Sequence, residues 1–283
     1  MAIETDTVLA ARDGDDPAKA VADAFVEARL QGRALPAFPG DIPVDLEAAY
    51  RVQDLAIARW PDRVVGWKVG YIAAERRDAS GDERLLGPIY ARQLHAAGGE
   101  VAFPVFGGGF GAIEAEYVLR LEADAPVGKT EWSIADAAAL PARLFTGVEI
   151  ASSPLATINV LGPRVVVSDF GNNNGLVIGA EIPGWLDIPE GDLHAETWIE
   201  GERVGTGGAT TLPGGLLAAY AFALSRSARR GRPLKRGDLI ATGNATGIHD
   251  ILAGQQATVR FAGHEEISGR ATAAEPVAGD AKA

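Results

Sequence analysis

The chain of 283 residues is 47% hydrophobic, which is enough to bury a full core in one large domain or in one domain with a small appendage. Its 38 acidic and 26 basic residues give a net charge of -12, which argues against nucleic acid or an anionic membrane as the main partner. The lack of cysteine excludes disulfides, thiolate zinc sites and cysteine nucleophiles.

The N-terminal segment lacks the basic region and apolar run of a secretory signal, and no stretch approaches about 18 consecutive apolar residues. We therefore expect a cytoplasmic protein that does not cross a membrane. Residues 1–15 are acidic and lack hydrophobic periodicity, and residues 273–283 are rich in Ala, Gly and Asp, which predicts frayed tails that carry no function.

Two helices are predicted near the N-terminus. Asp16-Pro17 is typical of a helix start, with an aspartate cap and a proline in the first turn, and an apolar stripe follows it up to Gly32. A second helix is predicted from about Asp45 to Trp60, because the next residue is a proline. These helices form a predicted N-terminal helical cap over residues 1–62.

Short β-rich runs separated by glycines follow the helices. Their composition and turn signals predict strands at residues 64–71, 112–121, 164–168, 175–180, 194–200, 202–205, 238–242 and 255–261. Gly201 predicts a hairpin turn between two of them. Further helices are predicted from Ser133, which begins a capping-box pattern, and at residues 215–230, which Gly231 ends. Many strands with few helices predict a β-rich α+β fold.

Two glutamates, Glu114 and Glu116, lie two residues apart in the strand-like run 111–120. Because side chains alternate along a strand, both carboxylates lie on one face and apolar neighbours lie on the other. Glu149 lies in another strand-like run, and three carboxylates from two strands match the oxygen ligands of a hard divalent cation. Taken alone, the alternation is more often the solvated face of a sheet.

The glycine-rich run 106–111 does not fit a nucleotide-phosphate loop. Such a loop opens a helix, whereas here a strand follows, and the chain has no Gly-Lys-Ser/Thr triplet. The glycines instead predict a close approach of the backbone to a site, a flap over it, or a plain loop. The four histidines lack a metal-binding spacing, and no Gly-x-Ser-x-Gly motif supports a serine nucleophile.

Lys68 lies between apolar residues in the predicted strand 64–71. Its side chain either extends to solvent or points into a carboxylate-lined pocket, where it can bind an anion or transfer a proton. Burial lowers the pKa of a lysine and nearby carboxylates raise it, so the sequence leaves the protonation state of Lys68 open.

Two polar turns follow apolar runs, at residues 169–175 and 242–247. Their Asp, Asn and Gly residues satisfy local backbone groups and tolerate positive φ, so turn chemistry alone explains most of both segments. The alternative is that their hydroxyl and amide groups hold a substrate carboxylate.

Four segments of the chain stand in the same order and at similar spacing as in the 2-keto-4-pentenoate hydratase branch of the fumarylacetoacetate hydrolase family, which the chain therefore resembles. They are Gly66-Trp-Lys-Val-Gly70, Ile113-Glu-Ala-Glu116, Val148-Glu149 and Arg236-Gly-Asp-Leu-Ile-Ala-Thr-Gly243. The resemblance covers roughly residues 45–272.

This resemblance implies rolled mixed β-sheets in a catalytic domain over residues 63–283, a site open at one end, and a homo-oligomer. It implies that Glu114, Glu116 and Glu149 hold Mg²⁺ or Mn²⁺ and that Lys68 is the catalytic group that faces the substrate. It further implies substrate-binding roles for Asp169, Asn173 and Thr242.

The implied activity is hydration of a 2-hydroxy-2,4-dienoate to a 4-hydroxy-2-oxo acid, in the catabolism of aromatic or related compounds. A 2-oxo carboxylate offers two oxygens to a divalent cation, which stabilises enolate charge. The same chemistry leaves open decarboxylation of a 2-oxo-3-enedioate, C–C hydrolysis of an acylpyruvate and tautomerisation of a 2-oxo acid. Hydrolysis ranks below hydration because no His-Glu pair that would activate water is evident. A catalytically silent subunit of an active partner is the remaining alternative.

Overall fold

The computed structural model describes residues 16–277. The frayed tails predicted at residues 1–15 and 278–283 therefore lie outside the described residues. The described part of the predicted C-terminal tail is hydrogen-bonded: the Ala274 N–H donates to the carbonyl of Val105 and the Val277 N–H to that of Leu30, each at 2.8 Å. A frayed tail is thus the wrong description of this part.

The α-helices of the described chain are α1 (Pro17–Leu30), α2 (Leu46–Arg59), α3 (Ile134–Ala139), α4 (Ile158–Leu161), α5 (Pro163–Ser168) and α6 (Gly215–Arg229). Those predicted near the N-terminus, from Ser133 and around residues 215–230 are confirmed. Asp16 caps α1, since its carboxylate accepts a hydrogen bond from the Ala18 N–H. No helix among residues 16–277 is long and apolar enough to span a membrane.

The strands are β1 (Val64–Tyr71), β2 (Arg84–Tyr90), β3 (Leu94–Ala96), β4 (Val101–Val105), β5 (Phe110–Leu121), β6 (Ala142–Ser153), β7 (Asn173–Ile182), β8 (His194–Ile199), β9 (Glu202–Gly208), β10 (Leu239–Asn244), β11 (His249–Asp250), β12 (Gln256–Phe261) and β13 (Ile267–Ala273). The first sheet has the order β2-β1-β10-β5-β6-β7-β3, with β11 paired to β5. The second has the order β4-β13-β12-β8-β9.

The first sheet mixes parallel and antiparallel pairs and curls, so that β2 at one edge contacts β7 near the other. We call the enclosed side of this sheet the inner face of the roll. The predicted β-rich α+β fold of rolled mixed sheets is confirmed. A core between the two sheets, a second core beneath α1 and α2, and a small cluster on the inner face stabilise this arrangement.

One predicted strand, at residues 164–168, is wrong, because these residues form α5. Gly162 has φ 102° and Pro163 occupies the first turn, so the chain enters a helix despite its β-branched residues. The polar segment 169–175 therefore joins a helix to a strand. In the glycine run, a Cβ at Gly109 would collide with the Ser153 carbonyl oxygen, so this glycine allows close packing of the backbone against the end of β6, and an approach of the run to a site stays a prediction.

The register of β5 and β6 arranges side chains in rows across the inner face. The opposed pairs are Glu114 with Glu149, Val118 with Phe145, and Arg120 with Arg143. Because opposed residues of an antiparallel pair point to the same side of the sheet, a carboxylate row is followed by an apolar row and then by an arginine row.

Arg29 connects α1 to the sheet and to the polar turn before β7. Its buried guanidinium binds the Asp169 carboxylate in a bidentate manner, with Nε to Oδ1 at 2.5 Å and Nη2 to Oδ2 at 3.0 Å. It also donates to the carbonyls of Ser152 and Asn173 and to Oδ1 of Asn174. One side chain of the N-terminal helix thus fixes the turn. The division of the chain at residue 62 stays a prediction.

We predict that Arg29→Met lowers the free energy of unfolding by about 3–5 kcal/mol, because it leaves the Asp169 carboxylate buried without its cation. Urea denaturation measures the change. The control is Lys19→Met, which removes an exposed lysine of the same helix and should cost less than about 0.5 kcal/mol. A loss below 1 kcal/mol for Arg29→Met would contradict a central role for this ion pair.

Candidate metal centre

Three glutamates on the inner face form one cluster. Glu114 and Glu116 lie on the same side of β5, and Glu149 of β6 stands directly opposite Glu114. All three are at most 2% exposed, and one carboxylate oxygen from each lies within 4.8 Å of the other two. The solvated face that alternating acids usually form is therefore excluded for this pair of strands.

All three glutamates have one oxygen without a partner, and Glu116 and Glu149 each have the other oxygen held by a hydrogen bond. Glu116 Oε2 accepts the Gly243 N–H at 2.6 Å, and Glu149 Oε1 accepts the Asn173 side-chain N–H at 3.0 Å. In contrast, the Oε1 atoms of Glu114 and Glu116 and Oε2 of Glu149 are buried without a hydrogen-bond partner among the described residues. Buried carboxylate oxygens normally have partners. Free oxygens from three carboxylates are the donor set that Mg²⁺ or Mn²⁺ accepts.

Lys68 is the cation closest to this cluster in the described chain. Its Nζ lies 3.4 Å from Glu149 Oε1, and its side chain is 6% exposed. Burial alone would lower the pKa of Lys68, but attraction to Glu149, Glu114 and Glu116 outweighs burial and raises it above its usual value. Lys68 therefore carries a positive charge at neutral pH and points into the carboxylate pocket instead of into solvent.

One ammonium does not neutralise three carboxylates. Burial, opposed by Lys68 and assisted by repulsion from Glu149, raises the pKa of Glu114 to about 7. Burial and the two neighbouring carboxylates raise the pKa of Glu116 well above its usual value. Protonation of these groups, or a divalent cation between them, removes the excess negative charge. The residues present thus fit a hard divalent cation.

A cleft of about 310 Å³ opens onto this cluster. Lys68 and Glu114 lie in it, together with the side chains of Asn172 and Asn244. The interaction with the Asn244 side chain lowers the pKa of Glu114 and so partly offsets the effect of burial. Arg76, which is exposed, lies at the outer part of the cleft. The cleft is large enough for a small carboxylate that reaches the glutamates.

The three residues predicted to bind substrate, Asp169, Asn173 and Thr242, lie in different surroundings. Asn173 contacts Glu149, so it lies beside the cluster. Asp169 is fully buried, and its two carboxylate oxygens accept hydrogen bonds from Arg29 and Ser153. The Thr242 hydroxyl donates to the Tyr117 carbonyl at 2.8 Å. Its side chain borders a cavity of about 210 Å³ that shares lining residues with the cleft.

Sequence reasoning missed Arg29, Arg76 and the cleft role of Asn172. Arg29 did carry a signal, because it continues the i, i+4 spacing of Val21 and Phe25 and so places a charge on an apolar face. A charge in that position needs a buried partner. Arg76 carried no such signal, since it lies in a single 3-10 helical turn between two strands, which is too short to show a hydrophobic periodicity.

No protein-family model matches the chain. Among solved structures, 4-oxalocrotonate decarboxylase from Pseudomonas putida with magnesium and adipate is 23% identical, with a TM-score of 0.75 over 90% of this chain and 97% of that one. The same enzyme with calcium and acetate gives 22% identity and the same score, over 90% of this chain and 96% of that one. Fumarylpyruvate hydrolase from Pseudomonas aeruginosa, with Mn²⁺ and pyruvate, is 17% identical, with a TM-score of 0.50 over 75% of this chain and 90% of that one. These similarities confirm the predicted fold, that of the fumarylacetoacetate hydrolase type.

We predict that Glu116→Gln raises the melting temperature of the protein in EDTA by about 2–4 °C, which corresponds to about 1 kcal/mol. The amide oxygen can still accept the Gly243 N–H, while the variant removes a carboxyl group that is unfavourable to bury in either form, because it must be protonated or repel its neighbours. The same variant should lose most of the rise in melting temperature that Mg²⁺ gives the parent protein. Differential scanning fluorimetry with and without Mg²⁺ measures both effects.

The matched control is Glu122→Gln, an exposed glutamate just beyond the end of β5, which should change neither quantity. A Glu116→Gln protein with a full Mg²⁺ response would contradict the assignment of the glutamates as ligands.

Proposed function

We propose that the protein is a metal-dependent hydratase that converts a 2-hydroxy-2,4-dienoate, such as 2-hydroxypenta-2,4-dienoate, into a 4-hydroxy-2-oxo acid. The observation that carries the proposal is the buried group of three glutamates with free oxygens beside a charged lysine, at the base of a cleft. The solved structures of similar fold, which are complexes with magnesium, calcium or manganese, support it.

Glu114, Glu116 and Glu149 would hold Mg²⁺ or Mn²⁺ through their free oxygens. When bound, the ion supplies positive charge that binds a 2-oxo carboxylate and stabilises negative charge on its oxygens. The Asn173 side chain and the Gly243 N–H each fix one carboxylate oxygen, which leaves the other oxygen of that glutamate directed inward. We therefore propose that Asn173 positions Glu149.

Lys68 is the proposed acid–base group. The reaction requires loss of the proton from the 2-hydroxyl group and protonation of C5, which gives an α,β-unsaturated ketone. Water then adds its oxygen to C4, and C3 takes up a proton. A charged Nζ in the cleft can donate a hydrogen bond to the developing oxyanion and exchange a proton with the substrate. Burial of this ammonium excludes water from that hydrogen bond.

The remaining residues of the predicted set have proposed supporting roles. Asp169 acts through Arg29 on the turn that carries Asn172 and Asn173. Thr242 remains a proposed substrate contact and lines the cavity that adjoins the cleft. The homo-oligomer and the cytoplasmic location stay predictions.

We predict that purified protein with Mg²⁺ removes the ultraviolet absorbance of 2-hydroxypenta-2,4-dienoate and releases 4-hydroxy-2-oxopentanoate, and that EDTA stops the reaction. Lys68→Met should lower kcat by about 10²–10⁴-fold, because it removes the proton-transfer group. The variant should keep the rise in melting temperature caused by Mg²⁺. The exposed Lys19→Met serves as control and should leave kcat unchanged.

Full activity after EDTA treatment would contradict the metal dependence. An active protein with both Glu114→Gln and Glu116→Gln would contradict the proposed ligands.

Decarboxylation of a 2-oxo-3-enedioate is the second candidate, and Arg76 favours it. The Arg76 guanidinium lies in the cleft, donates to the carbonyl of Asn159 at 2.6 Å and has no carboxylate partner in residues 16–277. Such a cation can bind the distal carboxylate that an enedioate has and a dienoate lacks. Glu75, which also borders the cleft, would oppose this binding.

We predict that Arg76→Gln separates the two candidates. For decarboxylation of 2-oxo-3-hexenedioate, KM should rise about tenfold, because a charged hydrogen bond to the distal carboxylate is lost. For hydration of the dienoate, KM should stay within about twofold, since that substrate has no distal acid. The control variant is Arg33→Gln, which alters an exposed arginine of another segment. Parallel steady-state assays of both substrates give the answer, and turnover of the enedioate alone would overturn the hydratase proposal.

A further inference from the structure

A second cavity lies at the other end of the inner face from the glutamates. Its volume is about 750 Å³, which is larger than that of the cleft. We call it the arginine cup. Its lining includes Phe145, Leu239, Ile178, Arg63, Arg120 and Arg236.

The cup is separate from the cleft. Glu116 and Arg120 lie on the same side of β5, four residues apart, which corresponds to about 13 Å along a strand. Between them, Val118 opposes both Phe145 of β6 and Ala241 of β10. Val118 and Ala241 are fully buried. This apolar layer closes the cup from the metal centre, so a molecule in the cup cannot contact the glutamates.

The cup combines an apolar floor with positive charge that the protein does not neutralise. Arg63, Arg120 and Arg236 have no carboxylate partner within residues 16–277, and Arg120 instead stacks on Phe145 at 4.8 Å from the ring centroid. Asp238 is the one acid among the lining residues, and its carboxylate accepts the Lys235 N–H at 2.7 Å. The cup therefore carries net positive charge in a protein whose overall charge is -12.

Arg143 differs from the three arginines of the cup because it has a carboxylate partner. Its guanidinium lies over the Phe145 ring and forms a bidentate ion pair with Glu181. The fold thus supplies an acid to Arg143 and leaves the other three guanidinium groups with free N–H donors. Such donors bind carboxylates strongly where an apolar surface limits their hydration.

We propose that the arginine cup is a second binding site, for a small amphipathic anion with an apolar, ring-sized body and at least one acid group. The apolar body packs on Phe145, Leu239 and Ile178, and the acid group binds the guanidinium groups. The volume lies within the range of small-molecule sites in proteins. The proposal rests on the cup alone and does not depend on the reaction in the cleft.

The test uses 2-naphthoate as probe and its neutral analogue 2-naphthalenemethanol, each titrated into the full-length protein by calorimetry in the presence of EDTA. We expect saturable binding of 2-naphthoate at one site per chain and at least about tenfold weaker binding of the neutral analogue, because the alcohol cannot form the charged hydrogen bonds.

Variants locate the site. Arg236→Gln alters an exposed side chain and should weaken 2-naphthoate binding about tenfold, and adding Arg120→Gln should weaken it further. Arg260→Gln, which removes an arginine that pairs with Glu266 in the second sheet, is the matched control and should leave binding unchanged. Glu116→Gln should also leave it unchanged, because the apolar layer separates the two sites.

Three results would overturn the proposal: no saturable binding of 2-naphthoate, equal binding of the neutral analogue, or binding that Glu116→Gln changes and Arg236→Gln does not. Sedimentation velocity adds a fourth. A dimer that Arg236→Gln dissociates, without any binding of 2-naphthoate, would identify the cup as a contact between two copies of the chain.

Discussion

The burial of three carboxylates next to one another is the constraint to which the rest of the structure is matched. Glu114, Glu116 and Glu149 approach one another inside a curled sheet, and Lys68 supplies a single positive charge. Desolvation makes such a cluster unfavourable unless protons or a cation join it. One oxygen of each glutamate has no partner, and hydrogen bonds from the Asn173 side chain and the Gly243 N–H hold the other oxygens of Glu149 and Glu116. A chain that keeps these charges buried gives up stability for a site that attracts a divalent cation.

The rest of the fold holds that site in place from outside the sheet. Arg29 on the first helix fixes the turn from which Asn173 reaches Glu149, so the N-terminal helices act on the site without lining it. Within the roll, every second side chain of β5 points to the inner face, so the glutamates are followed on that face by Val118 and then by Arg120. One strand thus contributes to a carboxylate end, an apolar layer and a cationic end, and the two cavities follow from this order.

Much of this could be predicted from the sequence, because the informative patterns are local. The alternation of Glu114 and Glu116 needs only the period of a strand, and Lys68 differs clearly from its apolar neighbours. Glu149 was added to this group because it lies in a second strand-like run, and the resemblance to a known family strengthened the assignment of all three glutamates as ligands. The helix at residues 164–168 could not be predicted from β propensity, since Gly162 and tertiary packing determine it. Strand β2 was missed because glycine and proline interrupt its pattern, and the partners of Arg29 are distant in sequence.

The most direct test of the metal centre is a crystal structure of the protein with Mn²⁺, in which anomalous scattering locates the ion. We expect one strong peak per chain at about 2.0–2.3 Å from an oxygen of each of Glu114, Glu116 and Glu149. We also expect Lys68 to stay close to Glu149 without contacting the ion. An absence of anomalous density between the glutamates at saturating Mn²⁺, or a peak held by other residues, would contradict the assignment of these glutamates as the metal ligands.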